Sequence, residues 1–421
     1  MNIVLINPLL PYDSIGISSG ERFFPEGLAV IASALRAGHN VKVIDLCAQQ
    51  QLTPKVCDDA EIFGITGMIN QFGSIENIIA TLRELSPKAK IMLGGPLVTC
   101  APELIKRLLG FDLAVIGEGE KSVVELLQDN HGERVATNSG DAYLPPEDFI
   151  LPAFELFDLS WYLSGPVWPH YLTVEGMSKG IVNNLMLSRG CPRHKNCDFC
   201  GQLFGQRMRC KPFHLVEKEI QTWINAGALA IRFQDDNLSL LPAEMQERIF
   251  DLVSGQKMAW AGHSRVDTIN PLKLTQMRRA GCKILYFGLE SFSEEALSSA
   301  GKGATVAAAT KAINMTLEAG IKPACFFVIG LPGETRKSLQ TAVSFARDRQ
   351  ILVRPYILYP IPGTPIFERA KPLINDMRDY LRHCSHWADD QLAEGKLYIN
   401  LTDLSDDLLL ETYRELRELG N

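Results

Sequence analysis

No apolar run approaches the roughly 18 residues that a membrane helix needs, so a membrane-spanning chain is not expected. Nor is there a block of one charge. Lys+Arg 42 against Asp+Glu 49 leaves a net charge of -7, which disfavours nucleic acid and other polyanions as partners. The opening Met1-Asn-Ile-Val-Leu-Ile-Asn-Pro8 lacks a cationic leader and a cleavage site, so no signal peptide is expected. Internal repeats and low-complexity segments are missing too, which argues against a solenoid. Ten cysteines in a chain read as leaderless point to a reducing compartment, where thiols bind metal or pack in cores. The expectation is a soluble, cytoplasmic protein.

What is present is a globular composition. The 421 residues are 46% hydrophobic, 22% charged and 8% aromatic, enough for two or three buried cores. Short β-rich runs at Ile3–Ile6, Val41–Asp45, Ile62–Thr66, Ile91–Leu93 and Leu113–Ile116 alternate with helical periodicity, as in Leu28, Ile31, Ala32 and Leu35. That alternation predicts an α/β, doubly wound (Rossmann-like) domain over residues 1–137. Its ligand would lie at the carboxyl ends of the strands, by Asn7-Pro8, Thr66-Gly67-Met68, Gly94-Gly95-Pro96 and Gly117-Glu118-Gly119-Glu120. Residues 138–180, punctuated by proline, read as a connector packed between domains. A second series follows over 181–370, with strands expected at Leu185–Ser188, Leu229–Phe233, Met258–Ala261, Ile284–Gly288, Pro323–Ile329 and Val353–Tyr359. Six βα units suit a partial (β/α)6 TIM barrel with its site at the strands' carboxyl ends. Residues 371–421 read as a short helical segment that closes the open side of the barrel.

The strongest chemical signal is Cys191, Cys197 and Cys200, three thiols within ten residues straight after the first strand of the second series. Three thiolates can hold three irons of a [4Fe–4S] cluster and leave the fourth open to another ligand. With His194 between them, a Cys3His zinc loop is the alternative. Cys210, Cys282, Cys325 and Cys384 form no Cys-x-x-Cys pair, so no second cluster is expected.

This loop, with Phe199 before the last cysteine, resembles the cluster loop of radical S-adenosylmethionine (SAM) enzymes. Phe233-Gln-Asp-Asp-Asn237, Tyr286-Phe-Gly-Leu-Glu-Ser291, Phe327-Val-Ile-Gly-Leu-Pro-Gly-Glu-Thr335 and Pro360-Ile-Pro-Gly-Thr-Pro365 extend the resemblance at strand ends, in that family's order. One departure stands out: five residues separate Cys191 from Cys197, where the family has three. His194 is then either a neighbour of the cluster and the SAM carboxylate or a solvent-facing loop histidine. By the resemblance, Gln234, Asp235, Asp236 and Glu290 are acceptors for SAM. Arg265 meets its carboxylate as a bidentate partner, and Gly330 and Gly333 lie along the adenine. The plainer alternatives are a helix cap for Asp236 and a strand-to-helix turn for the two glycines.

The first domain resembles the cobalamin-binding domain of the B12-dependent radical SAM enzymes, through Pro25-Glu-Gly-Leu28, Thr66-Gly-Met-Ile-Asn-Gln71, Gly94-Gly-Pro96 and Val115-Ile-Gly-Glu-Gly-Glu120. No G-x-G-x-x-G follows the first strand, which disfavours a dinucleotide. The Asp-x-His-x-x-Gly loop of methionine-synthase-type domains is absent as well. The resemblance therefore implies a corrin without a protein imidazole on its lower face, with Met68 to Gln71 beneath or beside it. The alternative is a domain that kept the sheet and lost the corrin. A methylthiotransferase is disfavoured: the first strand loop carries no cysteine, and no RNA-binding module follows the barrel.

The resemblance implies [4Fe–4S], SAM and cobalamin as cofactors, a small-molecule substrate, an electron donor such as flavodoxin or ferredoxin, and a monomer. The reaction expected is methyl transfer from SAM through methylcobalamin to an unactivated carbon or phosphorus, by way of a 5′-deoxyadenosyl radical. Cyclisation or ring rearrangement with the same cofactors is the alternative, and a sensor without turnover is a third. The run His383-Cys384-Ser385-His386-Trp387 is either a packed helix end or a contact to substrate or metal.

Overall fold

The computed structural model describes residues 1–10, 21–48, 50–128, 134–137 (backbone only), 143–192, 197–201 and 203–420. Its amino-terminal sheet has strands β1 (Asn2–Asn7), β2 (Asn40–Asp45), β3 (Ile62–Thr66), β4 (Lys90–Gly94), β5 (Leu113–Ile116) and β6 (Arg134–Thr137). They are parallel and ordered β2-β1-β3-β4-β5-β6. Helices Glu26–Arg36 and Phe72–Leu85 cover opposite faces, each burying one apolar stripe. Chain order reverses about β1, so the loops after β1 and β3 flank a crevice at the switch point. The periodicity reading did not foresee β6, a four-residue edge strand with little apolar content.

The second sheet contains β7 (Ile181–Leu185), β8 (Ala230–Phe233), β9 (Ala259–Ser264), β10 (Cys282–Glu290), β11 (Lys322–Ile329) and β12 (Leu352–Ile357). All are parallel and adjacent in chain order, a six-stranded partial barrel. The first strand lies four residues before the stretch expected from the apolar run at Leu185–Ser188. Asn183 and Asn184 hid it. On an edge strand covered by the first domain they serve another segment: the Asn184 amide exchanges hydrogen bonds with the Phe24 backbone at 3.0 and 2.6 Å, and Asn183 Nδ2 donates to the Arg22 carbonyl.

Alternate residues of each barrel strand point into the lumen. Trp168, Tyr171, Val174 and Met177 plug it from below, against Ile181, Ala230, Ala261 and Ile284. At the other edge, helix Asp406–Leu419, capped by Ser405, lays Leu409, Leu410, Tyr413 and Leu416 against β12 and helix Arg336–Arg349. The tail also reaches the first domain, where Arg378 and Arg382 both pair with Glu76. Phe24, Phe154, Phe157, Tyr162 and Trp223 form an aromatic cluster between the two sheets. Among the described residues no helix is long and apolar enough to cross a membrane.

Candidate functional site

The cysteine loop leaves β7 through a two-residue antiparallel ladder, Ser188–Arg189 against Arg209–Cys210, which ties its two ends together. Gly190 is required at the entry: its φ is +98°, and a Cβ there would sit 2.3 Å from the Arg207 carbonyl oxygen. Cys191 N–H donates to the Gly205 carbonyl, and Cys200 N–H to that of Cys197. Burial, then the Cys197 thiol and the Asp236 carboxylate, push the Cys200 thiol up to about 12, while Lys302 works the other way. Arg265 lies within electrostatic reach of Cys191 and Cys197. The three thiols thus share one neighbourhood flanked by two cations, a donor set suited to an anionic iron–sulfur cluster. Among the described residues no three His, Cys, Asp or Glu side chains converge as ligands of a single ion. A cluster spreads its ligands over three irons and does not need them to. His194, with Arg193 and Lys195, lies outside the described residues.

The residues expected to hold SAM divide into two groups. Gln234, at the carboxyl end of β8, has a buried Oε1 with no hydrogen-bond partner, an open acceptor beside the cysteine loop. Asp236 is exposed and close enough to Cys200 to raise its pKa. Arg265 is gripped by Asp267, with Nε to Oδ1 at 2.9 Å. Glu290 ends β10 at φ +65°, a left-handed conformation that costs a non-glycine residue about 1–2 kcal/mol and aims its carboxylate back over Gly288.

Asp235 has a different task from the one expected. Fully buried, it accepts hydrogen bonds from Leu187 N–H at 3.1 Å and Ser188 Oγ at 2.6 Å, fastening the root of the cysteine loop to β8. Burial raises its pKa to about 7, against the pull of those hydrogen bonds. Gly330 and Gly333, at φ +99° and +88°, form the strand-to-helix turn after β11. A Cβ on Gly333 would meet Glu295 Cγ at 2.9 Å, and the Gly330 N–H donates to Glu334 at 2.9 Å.

Sequence reading missed Lys302. Its ammonium donates to Glu290 Oε1 at 2.7 Å; burial opposes the charge, but Glu290 and Cys197 raise its pKa. The available signal was its position in Gly301-Lys302-Gly303, with both glycines at φ +62°.

In the first domain a slot of about 210 Å³ opens at the carboxyl ends of the strands. Thr66, Gly94, Gly95, Pro96, Gly117, Glu118, Gly119 and Glu120 line it, together with Arg189 and Phe204 of the barrel side. Gly95 sits at φ +85° with the Thr66 hydroxyl 2.9 Å from where its Cβ would be, so the turn after β4 packs on the loop after β3. Glu118 and Glu120 line the slot but are engaged elsewhere. Glu118 accepts from Arg189 at 2.8 Å, Arg209 at 2.6 Å and the Leu144 N–H, while Glu120 pairs with Arg189 at 2.7 Å.

Asn7, Pro8 and Gln71 also differ from expectation. Asn7 donates to Asp45, and Gln71 accepts from Met68 N–H while its Nε2 donates to the Pro8 carbonyl at 3.0 Å. Their polar groups staple the loops after β1, β2 and β3 together. Met68 itself is 40% exposed and lines a second cavity.

This second cavity, of about 450 Å³, begins where the slot ends, and Pro96 and Leu203 belong to both walls. Met68, Ile69 and Asn70 face it from the first domain and Phe199 and Gly201 from the cysteine loop. Val328, Tyr356 and Tyr359 face it from the barrel and Cys384 from the tail. Domain closure here is tight, because Gly363 (φ +87°) leaves room for the Cys100 carbonyl, which its Cβ would approach to 2.1 Å. Within the His383–Trp387 run, His383 is held by Asp390 and Tyr398, and Ser385 Oγ donates to the Asn70 carbonyl at 2.7 Å. Cys384 is the member that reaches the cavity, its thiol pushed up to about 12 by burial. The Trp387 side chain lies outside the described residues.

Comparison with known proteins matches residues 12–127 to the B12 binding domain family and residues 185–346 to the Radical SAM superfamily. The chain is 29% identical over 377 residues to an uncharacterized methyltransferase of Pyrococcus horikoshii, covering 82% of this chain and 78% of that one. It is 25% identical over 411 residues to an anaerobic magnesium-protoporphyrin IX monomethyl ester cyclase of Cereibacter sphaeroides, covering 91% and 66%. The fold is shared with the radical SAM methyltransferase TsrM from Kitasatospora setae, at TM-score 0.67 and 18% identity, over 88% of this chain and 76% of that one. The cobalamin-dependent radical SAM enzyme OxsB superposes at TM-score 0.63 and 18% identity, over 90% and 56%.

Proposed function

The chain belongs to the cobalamin-binding radical SAM enzymes, and we propose that within them it is a methyltransferase acting on a small molecule, at carbon or phosphorus. Its cofactors are accordingly a [4Fe–4S] cluster, SAM and cobalamin. The cluster and SAM supply one-electron cleavage and hydrogen abstraction, and the corrin carries the methyl group between a first SAM and the substrate.

The observation that carries the reading is the shared wall of the two cavities. In it the glycine-lined slot suits the corrin's tail, and the adjoining cavity suits the ring. Phe199, between two of the cluster cysteines, faces Met68 and Asn70 across that second cavity. Met68, Ile69 and Asn70 would hold the ring from the first domain, across the cavity from Phe199 and Gly201 of the cysteine loop. Cys191, Cys197 and Cys200 would hold the cluster. Gln234, Asp236, Arg265 and Glu290, with Lys302, would bind SAM. Thr66, Gly94, Gly95, Pro96, Gly117 and Gly119 would shape the slot. Asp235, Glu118, Glu120, Asn7, Pro8 and Gln71 act as positioning groups. The walls are largely apolar, so water is kept from the reacting centre.

The curated cyclase relative, which this chain matches over 91% of its own length, supports a second reading: ring formation with the same cofactors. One experiment separates them. Anoxically reconstituted protein is incubated with cobalamin, a low-potential reductant and methyl-labelled SAM. Label on bound corrin is expected; corrin bound without label favours the cyclase reading, and no bound corrin overturns both.

A further inference from the structure

Among the described residues, the barrel lumen sets two guanidiniums against one carboxylate. Arg232 on β8 and Arg354 on β12 both point inward, and Glu21, from the first domain's loop, reaches between them across the gap in the barrel. Arg354 donates to Glu21 Oε2 at 3.2 Å, while Oε1 is 3.6 Å from Arg232, so one carboxylate is shared by two guanidiniums and hydrogen-bonds only one of them. Among the described residues it is the acid within salt-bridge reach of either. The other groups facing them are neutral. Tyr171 and Tyr286 share a hydrogen bond, Tyr356 contacts Arg354, and Trp168 lies 3.9 Å from the Arg354 guanidinium. His263 is held uncharged, pushed down to about 3 by burial and then by Arg232 and Arg354.

A second observation falls on the same place. Arg354 Nε, Glu21 Oε1, Asn183 Oδ1 and His170 Nε2 are buried polar atoms without a hydrogen-bond partner, on neighbouring walls of the lumen base. Such atoms are costly, and several together call for a group that completes them. Space exists for one. His263, Phe326, Arg354 and Tyr356 are ringed by strands yet keep accessible surface, and Tyr356 also lines the cavity that runs to the cysteine loop. His263, Tyr286, Phe326 and Tyr356 form a chain of ring contacts at 4.9, 5.7 and 5.8 Å.

We propose that the substrate enters the barrel as a carboxylate-bearing molecule with a flat or aromatic body, its carboxylate received by Arg354 beside His263 and its body lying against Phe326 and Tyr356. Arg354 offers a planar fork that suits a carboxylate. Glu21 is the internal group that shares this charge and competes with the ligand for it. The inference rests on the reading of the chain as an enzyme acting on a small molecule, and it names that molecule's charge and shape.

The test measures binding, by equilibrium dialysis, of 3-phenylpropionate and its neutral amide to the anoxic holoprotein loaded with cobalamin and cluster. The acid should bind at least about tenfold more tightly than the amide. Arg354→Gln should bring that ratio to about one with corrin and iron content retained. Glu21→Gln keeps the shape and removes the competing charge, so it should strengthen acid binding several-fold, whereas damage to the fold would weaken it. Equal binding of acid and amide, no binding of either, or weaker acid binding in Glu21→Gln would each overturn the proposal. Corrin labelling from methyl-labelled SAM is scored separately. Labelled corrin without an acid preference sinks this inference alone, and an acid preference without bound corrin sinks the functional reading alone.

Discussion

The carboxylate of Glu118, on the loop after β5, stands 2.8 Å from the guanidinium of Arg189, two residues before the first cluster cysteine. Arg209 closes the pair from the other side of the ladder at 2.6 Å, and the Glu118 side chain is only 1% exposed. The wall of the first-domain slot and the root of the cysteine loop are therefore held by one buried ionic group. Arg189 is further enclosed by the Phe149 and Phe204 rings.

Breaking that group from one side leaves a buried guanidinium uncompensated, which costs about 3–5 kcal/mol. Glu118→Gln keeps the hydrogen-bonding shape and should fall toward the lower end. Its thermal midpoint should drop, and corrin and iron retention on desalting should fall together. Loss of stability with both cofactors fully retained would show that the pair braces the domains without shaping either site.

Two adjacent glycines should behave differently. Gly94 lines the slot, and a Cβ there meets nothing nearer than 3.8 Å, so Gly94→Val should fold normally and lower corrin affinity about tenfold or more by filling space. Gly95→Ala forces a side chain into φ +85° against Thr66, and should cost about 1–2 kcal/mol of stability. Corrin titration followed by absorbance, beside a melting curve, separates the two effects.

Asp235 should make stability depend on pH. Its folded pKa, raised by burial from an ordinary 3.8 to about 7, means that the folded state binds the proton more tightly than the unfolded chain does. Stability from this group is then greatest below pH 4, falls as pH rises toward 7, and is level above that. Asp235→Asn should flatten that slope while keeping the Ser188 contact. Melting temperatures measured from pH 5 to 8 test it, and an unchanged slope would assign the dependence to another group.

Each of Cys191, Cys197 and Cys200, changed to Ala, should lose bound iron and the cluster's visible absorbance after anoxic reconstitution, since each thiolate is expected on a different iron. Cys384→Ala should keep both, because that thiol belongs to the tail, across the second cavity from Phe199 and Gly201. Iron retained in any of the three loop variants would count against the cluster assignment.

Local patterns carried far in this chain. Strand-length apolar runs alternating with helical stripes specify two βα series, because burial on both faces demands them. Three cysteines placed just after a strand specify where a cluster can form. The slot glycines were legible for the same local reason, since only backbone without a Cβ turns as sharply as Gly95 does. Where sequence reading went astray, the partner was remote. Asp235 looked like a ligand acceptor until the fold brought Leu187 and Ser188, some 47 residues away, onto its carboxylate. Glu118 and Glu120 line the slot as expected, but their carboxylates looked available to a ligand until Arg189 met them. Glu21 was invisible because nothing beside it in the chain marks it, and it meets Arg354 across 333 positions. Sequence alone determined the elements and the ligating chemistry, which depend on neighbours a few residues apart. Only the tertiary structure decided which buried charges were neutralised by the protein and which were left for a ligand, because electrostatic pairing depends on distance in space.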